Sequence, residues 1–541
     1  MIITSFFWRT CVMTRQLEIL RLYHDLLRYG KTLRYTDVDF YLNRIRQEFS
    51  KGKALEKEDD IVRSGLDQQP TYFTHPHLLK QNELTSGITK QEYIDRREKL
   101  QNIISHYLRT QSQMFSEENF CIFLPSSTRI NMGPDVLYQF KQQSDFLYFT
   151  GCLQHDCCLL LTGKTTQNDG QFKTYLFLSE RQDDDNEYYS RWFGSYISDK
   201  VKISSMYNID HIYSINDLQT FINKSKRNYV LFYDKEFAIE TNLNQKLLNE
   251  QLMPFVGTFS TIFDNLKLFT HYMRSIKSTA EQHIMRQVCQ LTSTAFIDTM
   301  KYSLPNMNEQ MIQTKFQYEC LMNIGVSDLA FKPVVAGGTR SNIIHYVDNN
   351  QFIKNGELIL LDGGCLYKHY ASDISRSWPI SGRFNSEQRH LYEILLTVQK
   401  ELLDICTTNM SRKGLNDFME QRLAKYLQEE HILSRKILTE HEVKKVVEYL
   451  SSTAVSHHLG MDVHDCASIP FNEKFVSGNV ITIEPGLYIP ETCMDVPSGY
   501  RGLAFRIEDD VLITQNGYEV LTQSCPKEVD DLHQILDQRI K

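Results

Sequence analysis

None of the twelve cysteines forms a CxxC pair, and Cys157 and Cys158 are adjacent. A disulfide framework or a thiolate zinc site would show spaced cysteines, so reduced thiols are the expected state. No uninterrupted apolar run reaches the roughly 20 residues of a membrane-spanning helix. Positive charge is not in surplus either. Sixty-seven acidic residues against 59 basic ones leave a net charge of −8, which gives no reason to expect nucleic acid as the main partner. Repeats of solenoid period are missing. What remains is an ordinary globular composition, 41% hydrophobic and 23% charged, in 541 residues. Such a chain is too long for one core and should divide into roughly two to four domains.

Residues 1–13 open a stretch, MIITSFFWRTCVMTRQ, that carries Arg9, Arg15 and hydroxyl residues, with no acid before Glu18. This composition fits a short mitochondrial targeting segment and an unstructured tail alike; a secretory signal would need a positive n-region. Residues 14–66 read as helical. Ile19, Leu22, Tyr23, Leu26 and Leu27 share one helix face that Gly30 ends, and a second helix should begin near Thr36. Nine Lys and Arg against five Asp and Glu between Arg15 and Lys53 make this part basic in an acidic chain, as a separate module would be. The stretch RLYHDLLRYGKTLRYTDVDFYLNRIRQEFSKGK resembles the LYR-motif family of small mitochondrial helical proteins. That likeness implies docking to a mitochondrial partner. Leu22-Tyr23-His24 stands where the family has Leu-Tyr-Arg, and a polar stretch arrives before any third helix. A merged gene model or a two-helix remnant is the other reading.

A Pro- and polar-rich linker is expected over 67–92, running into a helix, TKQEYIDRREKLQNIISHYL. The short apolar runs ENFCIFLP, DFLYFTG, CCLLLTG, TYLFLS and NYVLFYD then alternate with polar loops and helical pattern, an α/β arrangement over 93–265. A second domain is expected over 266–541. It opens on the helix STAEQHIMRQVCQLTSTAFIDTM, with further helices near 308–324, 386–405 and 440–450.

In that domain acids interrupt apolar strands. ELILLDGG puts Asp362 at a strand end, HYASDISRSWP supplies Asp373, NVITIEPGLYIP carries Glu484, and LAFRIEDDVLIT carries Arg506 and Glu508. Asp509 and Asp510 read as loop groups or as groups behind the ligands. Singly, each acid is more often a turn or strand-end residue than a ligand. Together they are costly to bury, and four carboxylates with the histidine-rich STAVSHHLGMDVHD form a mostly hard donor set. Such a set suits Mn²⁺, Co²⁺, Fe²⁺ or Zn²⁺, and a pair of such ions fits metal-assisted amide hydrolysis.

The stretches PVVAGGTRSNIIHY, LLDGGCLYKHYASDISRSWPISGRF, SHHLGMDVHD, VITIEPGLYIP and YRGLAFRIEDDVLIT resemble, in order, the pita-bread metallopeptidases of M24 type. The nearest likeness is to aminopeptidase P, in its mitochondrial Xaa-Pro aminopeptidase 3 branch, and runs from about residue 73 to 536. It implies an α/β (α+β) chain with a creatinase-like N-terminal domain and a pita-bread catalytic domain. It also implies two divalent metal ions, by preference Mn²⁺, held by Asp362, Asp373, His457, Glu484 and Glu508. Asp373 and Glu508 would bridge the ions, Asp362 would serve one, and His457 with Glu484 the other. Glu484 would act as general base. His345 and His464 would contact substrate near the scissile bond, Arg506 would orient carboxylates, and Tyr488 would line the pocket.

The implied activity is release of the first residue from peptides or proteins with proline in second position, including trimming of mitochondrial protein N-termini, by a homodimer. Mitochondria are the expected location, with the cytoplasm an alternative. A prolidase-type dipeptidase and an inert pita-bread binding protein are the competing readings. One position departs from the family. A histidine usually stands four residues before the metal-ligating one, and here that position is Thr453, with Ser456 where glycine is usual. Threonine cannot carry an imidazolium charge, so altered substrate binding with retained metal binding is expected.

Overall fold

The computed structural model describes residues 70–72, 75–111, 119–130, 132–133, 136–165, 172–179, 200–225, 229–235, 259, 261–433 and 439–539. The targeting and LYR-like segments expected over 1–13 and 14–66 lie outside these residues.

The stretch expected to be a linker contributes to the core. Leu79, Leu84 and Ile88 are buried there, the last two in a hairpin of β1 (Glu83–Thr85) and β2 (Ile88–Thr89). Helix α1 (Lys90–Thr110) starts where the Thr89 hydroxyl accepts from the Glu92 backbone N–H. Its buried face, Leu100, Ile104 and Leu108, belongs to the large core that also takes in Phe120, Ile122 and Leu124. The sheet carrying those residues is formed by β3 (Asn119–Pro125), β4 (Cys158–Lys164), β5 (Lys173–Leu178), β6 (His211–Ser214), β7 (Tyr229–Phe232) and β8 (Thr261–Phe263), in the order β6-β5-β4-β3-β7-β8. The alternate residues Cys121 and Phe123 face a second core with Leu218 and Ile222, so both faces of β3 are covered.

The run DFLYFT is not a strand. It forms α2 (Ser144–Thr150), capped by Gln143 and ended by Gly151 at φ 67°. A short continuous apolar run fits either a buried strand or a buried helix, and here the flanking cap and αL glycine decide. Helices α3 (Lys200–Tyr207) and α4 (Leu218–Ser225) serve different cores, α3 adding Ile203 and Tyr207 to the large one and α4 adding Leu218 and Ile222 to the second.

Helix α5 (Lys267–Ser275) leads into the second domain and is followed by α6 (Thr279–Tyr302), which begins in a capping box of Ser278 and Glu281. Then come α7 (Glu309–Leu321), β9 (Val326–Leu329), β10 (Val334–Gly337), β11 (Leu358–Gly363), β12 (Cys365–Tyr367), β13 (Tyr370–Ala371) and β14 (Ile374–Pro379). Strand β11 lies between β10 and β14, antiparallel to both, with Asp362 opposite Ser375. The chain can reverse between them because a Cβ at Gly364 would lie 1.8 Å from the Ser372 carbonyl oxygen. No side chain fits there.

Helices α8 (Ser386–Asp404), α9 (Arg412–Glu429) and α10 (Glu440–Leu450) precede the last strands. The expected strand NVITIEPGLYI is two, β15 (Val480–Ile483) and β16 (Gly486–Tyr488). LAFRIEDDVLIT is likewise β17 (Ala504–Arg506) and β18 (Asp509–Thr514). Strand β15 pairs with β18 and β16 with β17, so both chains break at the same level. The breaks fall at Glu484-Pro485 and Ile507-Glu508, and the two glutamates leave the ladder together. Their backbone N–H groups instead donate to the carbonyls of Val455 and Ser375. Strand β19 (Gly517–Val520) and α11 (Val529–Asp537) close the chain.

Candidate metal centre

Asp362 is the penultimate residue of β11 and Asp373 directly precedes β14, so the antiparallel pairing returns the second carboxylate beside the first. The segment after α10 runs along β15, where Thr482 N–H donates to the His457 carbonyl and Leu459 N–H to that of Val480. This docking delivers the His457 ring between two acids. Its Nε2 is 3.2 Å from Glu484 Oε1 and 3.5 Å from Asp373 Oδ2. Its Nδ1 lies 3.1 Å from the His458 carbonyl, a contact that fixes the ring and leaves Nε2 facing the acids. One ligand atom each from Asp373, His457 and Glu508 lie within 4.8 Å of one another.

The charge balance of this cluster is poor. Four acids face one guanidinium, Arg506, whose Nη2 donates to Asp362 Oδ2 at 2.6 Å. Burial first, then the Asp362 charge, pushes the Asp373 carboxyl up to about 7, against the pull of His457. Glu508 is raised well above the carboxylate range by burial and by Asp373, Glu484 and Asp362. Burial disfavours the protonated His457 ring, but its bonds to Asp373 and Glu484 outweigh that and raise it well above the ordinary histidine value. Among the described residues, Asp362 Oδ1 and Asp373 Oδ1 are buried without a hydrogen-bond partner. Orphaned acceptors, surplus negative charge and a carboxylate–imidazole donor set fit divalent cations of the harder kind.

Arg506 reaches further than the sequence suggests. Its Nε donates at 2.7 Å to Ser375 Oγ, which donates at 2.8 Å to Glu508 Oε2. Its Nη1 donates to the Tyr488 phenol at 2.7 Å. One guanidinium thus fixes Asp362 directly and Glu508 through a serine that sequence reading missed. The Thr453 hydroxyl is buried beside the Tyr488 hydroxyl without a hydrogen bond of good geometry.

His464 stacks edge-on against His457, with ring centroids 4.6 Å apart. Burial, then the His457 charge, lowers its pKa, and the charges of Glu484, His345 and Asp362 reach it as well. His345 is exposed, near enough to His464 for its charge to reach that ring. His458 packs inward beside Phe475, its pKa held down to about 2 by burial and nearby cations.

Asp509 and Asp510 are not loop residues. They begin β18, fully buried. Asp509 pairs with Arg376 at 2.7 Å and with Lys527. Asp510 accepts from the Asp373 N–H at 3.0 Å and from Cys289, holding the backbone behind the ligand.

A fold of this kind around such a site defines a metallopeptidase. Residues 283–515 match the model for metallopeptidase family M24, and 93–232 match that for the aminopeptidase P N-terminal domain. The chain belongs to the M24 metallopeptidases and has the two-domain, pita-bread aminopeptidase P architecture. Over 471 residues it is 36% identical to Xaa-Pro aminopeptidase 3 of Homo sapiens, covering 87% of this chain and 90% of the relative. The mitochondrial intermediate cleaving peptidase 55 of Arabidopsis thaliana is 34% identical, with 87% of each covered. The crystal structure of Icp55 from Saccharomyces cerevisiae superposes with a TM-score of 0.71 at 27% identity, covering 85% of this chain and all of that one. Zinc-substituted Escherichia coli aminopeptidase P with product gives 0.72 at 25% identity, covering 84% and 100%.

Proposed function

We propose that this protein is a metal-dependent Xaa-Pro aminopeptidase that trims N-termini of mitochondrial proteins. One observation carries the reading. Asp373, His457 and Glu508 converge within 4.8 Å beside orphaned Asp362 and Asp373 oxygens, in a chain similar to Xaa-Pro aminopeptidases over most of its length. Asp362, Asp373, His457, Glu484 and Glu508 would hold two divalent ions, Mn²⁺ by preference. When bound, such ions acidify water to a pKa near 7 and polarise the carbonyl under attack.

The chain's own groups do the rest. Glu484, steadied by Thr482 at 3.2 Å, takes the proton of the attacking water. Burial raises the Glu484 pKa, but His457 and then Arg506 outweigh it and keep the carboxylate ionised as a base. His464 and His345 hydrogen-bond the substrate around the scissile amide; partial burial and the His457 charge lower the His464 pKa, which favours the neutral ring with one N–H to donate in a hydrogen bond. Arg506 keeps Asp362 and Glu508 in place, and Tyr488 lines the pocket. The division into an N-terminal domain over 93–265 and a catalytic domain over 266–541, a mitochondrial address in the N-terminal residues and a homodimeric state belong to the same reading.

Amino-acid release from Xaa-Pro dipeptides, Xaa-Pro-Xaa tripeptides and Xaa-Ala-Xaa tripeptides tests it. Cleavage of the proline tripeptide and of longer Xaa-Pro peptides is expected. Cleavage restricted to dipeptides would make it a prolidase, and no cleavage of any would leave a binding protein.

A further inference from the structure

Arg274, the penultimate residue of α5, is buried, and its two terminal nitrogens serve three carboxylates from both domains. Nη1 donates to Asp145 Oδ1 at 2.6 Å, in the N-terminal domain. Nη2 donates to Asp462 Oδ2 at 2.8 Å and to Asp465 Oδ1 at 2.5 Å. Asp462 and Asp465 flank only two residues, Val463 and His464. A single guanidinium therefore closes the turn from which the His464 ring reaches His457, 4.6 Å away.

The surrounding contacts make this a built device. Asp145 Oδ2 also accepts from Thr270 at 2.9 Å. Asp462 Oδ1 accepts from Ser144 at 2.8 Å and from Lys141 at 3.1 Å, both in the N-terminal domain. Asp465 Oδ2 lies 3.5 Å from Lys277 Nζ, and its backbone N–H donates to the His458 carbonyl. Gly460 must be glycine, since a Cβ there would lie 2.2 Å from Asp465 Oδ2. Three acids meet three cations. A rigid planar fork holds these carboxylates in fixed directions, which the compact ammonium of a lysine on its flexible stem does not reproduce.

We propose that Arg274 is a positioning residue for His464, and that through Asp145 the N-terminal domain holds that histidine in register with the metal centre. The proposal rests on the substrate-contacting role given to His464 above. It assigns the N-terminal domain a part in turnover that needs no contact with substrate.

A double-mutant cycle decides it. kcat and KM for an Xaa-Pro-Xaa tripeptide are measured, at equal metal content, for the natural enzyme, Arg274→Lys, His464→Ala and the double variant. Arg274→Lys should lower kcat about tenfold or more with a smaller change in KM, as expected of a misplaced group remote from the chemistry. In the His464→Ala background the same change should cost little further. Asp145→Asn should show a smaller loss with the same non-additivity, and it carries the test if Arg274→Lys does not fold. Equal fold losses in both backgrounds, or unchanged kcat in Arg274→Lys and Asp145→Asn, overturn the proposal. Unchanged turnover in His464→Ala alone overturns the role of His464 itself, and the proposal with it.

Discussion

Two clusters of acids lie at opposite ends of one nine-residue stretch, His457 to Asp465, and their charges are arranged in opposite ways. At the Asp465 end, Asp145, Asp462 and Asp465 face Arg274, Lys277 and Lys141. Burial raises the Asp145 pKa, but Arg274 and His271 outweigh it and hold it below the usual range. At the His457 end the acids outnumber their cation, and Asp373 is pushed up to about 7. A matched cluster is self-sufficient and ties domains together. An unmatched one destabilises the metal-free chain and becomes favourable only with added positive charge.

The largest expected effect breaks the matched cluster. Arg274→Met leaves three acids without their shared partner and should cost about 3–5 kcal/mol of unfolding free energy, read from denaturant midpoints. A loss under 1 kcal/mol would mean that the cluster contributes little.

The same substitution placed in each cluster should then have opposite signs. For metal-free protein at pH 8, Asp145→Asn is expected to destabilise by about 3 kcal/mol. Asp373→Asn should stabilise, by up to about 4 kcal/mol if the shift from 3.8 to about 7 is relieved in full. Thermal melts of the two variants in chelator give the comparison, and equal signs would refute it.

Thr453→His gives the pocket beside Tyr488 a ring that can carry an imidazolium charge. With metal content unchanged, it should raise kcat/KM for Xaa-Pro peptides about tenfold, the worth of one hydrogen bond to a charged group. An unchanged specificity constant would show that the missing histidine is immaterial.

The smallest effect is on pH dependence. Asp145 has a folded pKa below its unfolded value near 3.8, so its contribution is complete above about pH 4 and is lost as pH falls through the folded value. Asp145→Asn should therefore flatten the acid limb of stability below about pH 4, while above that pH the curve is lowered with its slope unchanged.

The unmatched cluster was legible in the sequence because apolar strands make an isolated acid conspicuous, as in ELILLDGG and VITIEPG. The breaks at Glu484 and Glu508 were hidden, since both ladders resume after two residues in the same apolar pattern. The matched cluster was not legible. Asp145 and Arg274 are 129 positions apart, and neither departs from an ordinary helix pattern. The one local signal was RSIKSTAE, two cations three apart leading into a capping box. Its last residue also bonds Tyr370 and pairs with Arg96 in the N-terminal domain. Ser375 could not have been found either, because its role depends on β11 and β14 being in register.

Counting bound metal and measuring Xaa-Pro peptide release on the same samples tests the central claim most directly. The natural chain reconstituted with Mn²⁺ should hold about two ions per molecule and release the first residue, and chelation should stop it. Asp373→Ala should lose both metal and activity. Peptide release that persists in chelator or in Asp373→Ala, or metal bound in full by that variant, would contradict it.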